Sequence, residues 1–120
     1  MFVTTIHKTL TTTTETELFT VPEGFVVNVY YIFVHNHSGS TKGVTLKWTN
    51  HDNTEDQLYF LDDKNISDGE RETLGGQSSM PLFVIQQNEV VRCSIDGTGE
   101  VEVAMTVDLL PRTPGYASFD

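Results

Sequence analysis

His35 and His37 stand two residues apart. If a strand runs through them, both project from one face, as two ligands of one metal ion would, with His51 or Asp52 as the nearest third. They open the Ser/Gly-rich stretch at residues 35–43, which reads as a flexible loop. A zinc site needs three placed ligands and no local pattern supplies the third, so the expectation is two solvent-exposed loop histidines and no metal. Residues 62–70, Asp-Asp-Lys-Asn-Ile-Ser-Asp-Gly-Glu, suggest a calcium loop. Counted from Asp63, oxygen ligands fall at the first, third and fifth places. The sixth place is Asp68 where an EF-hand requires Gly, however, and the twelfth is Leu74 where it requires Glu. An ordinary solvated acidic loop is the reading. Cys93, the sole cysteine, alternates with Val91 and Ile95, which predicts a buried, inert thiol and rules out an internal disulfide. No Gly-x-Ser-x-Gly elbow occurs, and the carboxylates are scattered. The expectation is a chain that is not an enzyme, with no catalytic residue and no cofactor.

Aromatic side chains offer a different chemistry. Trp48 with the tyrosines, Tyr31 and Tyr59 above all, could form a sugar-stacking platform. Trp48 shares its alternation with Val44 and Leu46, however, which assigns it to a core. The sequons Asn36-His37-Ser38 and Asn65-Ile66-Ser67 read as chance matches, because residues 1–5 lack the basic-then-apolar layout of a secretory signal.

The elements that must position these groups are strands. Val, Ile, Phe, Tyr and Thr are abundant, there are only two alanines, and no stretch sustains helical apolar spacing. Strands are expected at residues 2–6, 18–21, 25–34, 44–49, 58–61, 82–85, 91–96 and 100–109. The run at 25–34 is apolar on both faces, which marks a covered central strand. Residues 62–77 read as a long polar connection or a weak strand pair. Asp96-Gly97-Thr98-Gly99 reads as a hairpin turn. Residues 11–17, rich in Thr, read as a connector, exposed arm or edge strand. Residues 111–120 read as a tail, because Pro111 lacks the donor a ladder needs. About eight short strands predict an all-β fold: a two-sheet antiparallel β-sandwich, jelly-roll or Ig-like, spanning residues 1–110. Val29, Tyr31, Phe33, Leu46, Trp48, Phe60, Val84, Cys93, Val103 and Met105 are the expected core.

Size and charge set limits on function. A chain of 120 residues makes one domain. It can bury about two-thirds of its unfolded surface, so a core is possible without staples. Seven basic against seventeen acidic residues leave a net charge of −10. That opposes both phosphate backbones and anionic membranes, so neither a nucleic-acid nor a membrane partner is expected.

One layout is distinctive. Leu18-Phe19-Thr20-Val21-Pro22-Glu23-Gly24 leads into a long apolar strand ending in His35-Asn36. A Val-rich strand with Trp48 follows, then Val84-Ile85-Gln86-Gln87-Asn88-Glu89-Val90-Val91-Arg92 and a Gly-containing turn before the last strand. Over residues 18–110 this resembles small jelly-roll or Ig-like structural proteins of tailed-bacteriophage virions. In many of those the late turn holds Gly-Asp, whereas here it is Asn88-Glu89. The resemblance implies a capsid decoration protein that stabilises the particle, or a head–tail joining or tail accessory protein. It implies the major capsid protein or other virion proteins as partners, self-association, and residence in a virion assembled in the host cytoplasm. The candidate subunit contacts are Thr12, Thr14 and Glu15 of the Thr-rich segment and Tyr116 and Phe119 of the tail, because exposed aromatics gain when a neighbour's pocket buries them. The rival reading is a carbohydrate-binding β-sandwich.

Overall fold

The computed structural model describes residues 2–50, 56–75 and 80–112. Among them, nine strands and no helix form two antiparallel sheets. The strands are β1 (Phe2–Leu10), β2 (Thr16–Thr20), β3 (Phe25–Asn36), β4 (Lys42–Thr49), β5 (Gln57–Ile66), β6 (Arg71–Gly75), β7 (Phe83–Ile85), β8 (Val90–Ile95) and β9 (Val101–Pro111). The first sheet runs β1-β9-β3-β6, with β7 pairing the other half of the β3 edge that β6 occupies; the second runs β2-β8-β4-β5. The expected β-sandwich is present. Its core is the inward row of each sheet: Val27, Val29, Ile32, Val34, Val103, Met105 and Val107 against Val44, Leu46, Val91, Cys93 and Ile95. Trp48 and Phe60 pack on the rim of that core, and Phe60 stacks on Phe83 across the sheets at 4.3 Å.

Several sequence expectations need correcting, each for a local physical reason. Val29 pairs with Val107 and Tyr31 with Thr106, so Tyr30 is an extra residue in β3. This bulge reverses the side-chain parity of the strand. Ile32 and Val34 then point inward, while Tyr31 and Phe33, expected in the core, are half-buried on the outer face. Val84, also expected inside, is 48% exposed, because its neighbours Phe83 and Ile85 take the inward positions of the three-residue β7. A short run of four apolar residues contains no polar position to reveal its parity.

The turn at 96–99 is not a hairpin. β8 and β9 lie in different sheets, so the turn arches across the sandwich. The supposed loop at 35–43 is shorter: His35 and Asn36 end β3, and Lys42 and Gly43 begin β4. Most of the supposed calcium loop is strand as well, since Asp62, Asp63, Lys64, Asn65 and Ile66 continue β5. Asp63 sits at a bulge with φ 49°, its N–H donating to Thr45 Oγ1 at 3.1 Å. Pro111, assigned to the tail, closes β9 opposite Phe25, where a missing N–H costs least; the Arg112 N–H then donates to the Gly24 carbonyl at 2.7 Å.

Candidate functional site

The outer face of the first sheet collects the groups most capable of chemistry. β3 and β9 are its two central strands, and His35 pairs with Glu102 in their register. On its other side His35 pairs with Arg71 of β6. His37 follows β3 by one residue, and its N–H donates to the Glu100 carbonyl at 3.1 Å. The two imidazoles stack with centroids 5.2 Å apart and planes 17° from parallel. His37 Nε2 lies 3.6 Å from Glu102 Oε1, and its Nδ1 lies 3.6 Å from Glu100 Oε2. One ligand atom from each of His35, His37 and Glu102 falls within 4.8 Å of the others, so these three could hold a metal ion. The Arg71 guanidinium lies 5.8 Å above the Phe33 ring.

Asn36, between the two histidines, fixes this corner. It is wholly buried. Its side-chain amide donates to the carbonyls of Ile66 at 2.7 Å and Ser40 at 2.9 Å, while its Oδ1 accepts the Ser38 N–H at 3.0 Å. Its backbone bonds Glu70 and Gly69 across the sandwich edge. A buried, fully bonded amide makes the chain direction through residues 35–38 rigid. It also leaves the first sequon unable to accept a glycan in the folded chain.

The second sheet's outer face is a charge lattice. Lys47 Nζ lies 3.0 Å from Glu15 Oε2 and 5.8 Å above the Tyr59 ring. Arg92 reaches Glu15 at 3.9 Å, Glu17 at 3.7 Å and, through Nε, Thr49 Oγ1 at 3.3 Å. Beneath it, Cys93 is buried as expected, its Sγ 3.6 Å from the Thr16 carbonyl. Burial pushes this thiol up to about 12 from an ordinary 9.0, Lys8 opposing slightly and Glu15 adding. It is not a nucleophile.

The sheet edges differ as much as the faces. β2 is short and bulged, β5 carries two register breaks with Asp62, Asp63 and Lys64, and β6 and β7 are short. β1 runs nine residues against β9 without a break, from Phe2↔Leu109 to Leu10↔Val101, and no described strand pairs its other side. Val3, on this strand, is 69% exposed.

Of the sequence-selected contact residues, Thr12, Thr14 and Glu15 lie between β1 and β2. Thr12 and Thr14 are exposed in the connector from β1 to β2, where the Thr14 N–H donates to Thr12 Oγ1. Glu15 turns back onto its own domain through Lys47 and Arg92, while Thr16 and Glu17 lie in edge strand β2. Tyr116 and Phe119, and the suggested third metal ligands His51 and Asp52, lie outside the described residues. Trp48 faces the core, and Tyr31 and Tyr59 belong to different sheets, so these three do not make one platform. Sequence reasoning missed Glu100, Glu102 and Asn36. Glu100 and Glu102 were legible as outward positions of the last strand, but not as neighbours of His35 and His37. Comparison with protein-family models, curated proteins and solved structures found no match to this chain.

Proposed function

We propose that the chain is a non-enzymatic structural protein of a bacteriophage virion, a capsid decoration protein that stabilises the particle through subunit contacts. The observation that carries this reading is the outer edge of β1, which no described strand pairs. Nine residues in unbroken register expose a row of backbone donors and acceptors, and a single Lys8 is the only permanent charge there. Natural sheets blunt such edges with bulges, short length or charge, as β2, β5, β6 and β7 do here. An edge left open is a template for strand addition by a neighbouring subunit. The strand order supports the same class. With β7 set aside, β1-β9-β3-β6 facing β2-β8-β4-β5 is read as a jelly roll, an arrangement used by viral capsid and lectin domains. This is an analogy of fold, so the weight rests on the edge. Thr12 and Thr14, exposed in the connector that follows β1, are the proposed polar contacts, and Tyr116 and Phe119 the proposed aromatic anchors.

The test is sedimentation. Wild type should self-associate and co-sediment with purified capsids, and the double variant Val3→Lys/Thr5→Lys should lose both while its circular dichroism stays unchanged. A wild type that binds tails but not capsids places the protein in the tail. Edge-variant binding equal to wild type overturns the docking role of β1.

A further inference from the structure

We propose that His35, His37 and Glu102 form a binding site for a zinc-class divalent cation, with Glu100 orienting His37 from behind. Four observations support it, and none depends on what β1 docks.

The ligand set suits the ion. Two imidazoles and one carboxylate match zinc and its neighbours, whereas calcium and magnesium require nearly all-oxygen shells. The spacing is close to what is needed. Bonds of about 2.1 Å at tetrahedral angles put ligand atoms about 3.4 Å apart. His37 Nε2 and Glu102 Oε1 already lie 3.6 Å apart, and all three ligand atoms fall within 4.8 Å. The imidazole planes, 17° from parallel, open by χ rotation so that both in-plane lone pairs meet at the ion, and water takes the fourth position.

The second shell is present. A zinc-bound imidazole usually has its other nitrogen held by a carboxylate or carbonyl, which fixes the tautomer and the ring direction. His37 has a carboxylate at each nitrogen, Glu102 at Nε2 and Glu100 at Nδ1. The two carboxylates, Glu100 and Glu102, balance the ion's charge.

The backbone is also prepared. His35 and Glu102 are register partners on the two central strands, and Asn36 clamps the chain between the two histidines with three side-chain hydrogen bonds. Preorganised ligands of this kind lower the ordering cost of binding.

The experiment is calorimetric titration of the full chain with zinc chloride, alongside NMR of the histidine ring signals. One ion per chain is expected, shifting the rings of His35 and His37 but not His7. His35→Ala and Glu102→Gln should each weaken binding more than tenfold. Glu100→Gln should weaken it by about tenfold, the usual loss when an outer-shell partner of a metal ligand is removed. Calcium and magnesium chloride should give no ring shifts. Absence of stoichiometric zinc binding at 0.1 mM free metal, or binding that persists in both His35→Ala and Glu102→Gln, overturns the site. If a variant unfolds, the wild-type spectrum decides alone: ring shifts at histidines other than 35 and 37 reject the proposal.

Discussion

On the outer face of the second sheet, Lys47 and Arg92 hold Glu15 and Glu17 in a lattice of permanent charges. On the outer face of the first, the ionic partners described for Glu100 and Glu102 are the two nitrogens of His37, an imidazole that carries charge only when protonated. The same carboxylate chemistry is closed in one place and open in the other. The edges repeat the contrast: β2 and β5 flank the second sheet with bulges and several charges, while β1 flanks the first in unbroken register with Lys8 as its one permanent charge. The second sheet's face pairs its charges within the chain, and the first sheet's face and the β1 edge are where the proposed ion and partner would bind.

Asn36→Ala attacks the open face at its anchor and should have the largest effect. It removes three side-chain hydrogen bonds, among them the buried one to the Ile66 carbonyl, a loss of about 2–4 kcal/mol. Urea melts measure it, and a loss below about 1 kcal/mol would show that the corner relaxes and is not preorganised.

Beneath the closed face, Cys93 supplies a pH test. The folded thiol is held near 12 while the unfolded one titrates at 9.0, so between those values the unfolded chain has given up a proton the folded chain keeps. Its contribution is therefore complete below pH 9 and declines as pH rises toward 12, by up to about 1.4 kcal/mol per pH unit. Melts of wild type and Cys93→Ala across that window should converge as pH rises. The native thiol should also resist iodoacetamide at pH 8, where the unfolded chain reacts.

Cutting the lattice itself should cost less. Glu15→Gln leaves Lys47 and Arg92 partly exposed and solvated, with a change of about 1 kcal/mol or less that shrinks in high salt. A salt-independent loss of several kcal/mol would mean the lattice carries the fold. The smallest effect on stability belongs to Val3→Lys/Thr5→Lys, within about 0.5 kcal/mol, as expected for exposed positions. Its effect is on association.

The fold was legible where alternation is clean. Val44, Leu46 and Trp48, or Val101 through Val107, state their own face. It was illegible where one residue changes the count. Tyr30 looks like any aromatic of a central strand, yet as a bulge it turns Tyr31 and Phe33 outward and brings His35 onto the face of Glu102. Asp63 does the same within a stretch whose charges imitate a loop. The candidate site was half legible for the same reason. The two-residue spacing of His35 and His37 can be read locally, but Glu102 joins them only through a pairing between strands some sixty-five residues apart, which no local pattern encodes. The arch at 96–99 uses hairpin residues because hairpins and arches ask the same freedom of Gly.

The central claim is that β1 is the docking edge. Hydrogen–deuterium exchange of the chain, alone and bound to capsids, tests it most directly. The account predicts that the slow-exchanging set gains amides of β1 on binding, while β2, β5 and the segments carrying Lys47 and Arg92 exchange as before. Protection that appears at β5 or over Lys47 and Arg92, with β1 unchanged, would contradict it.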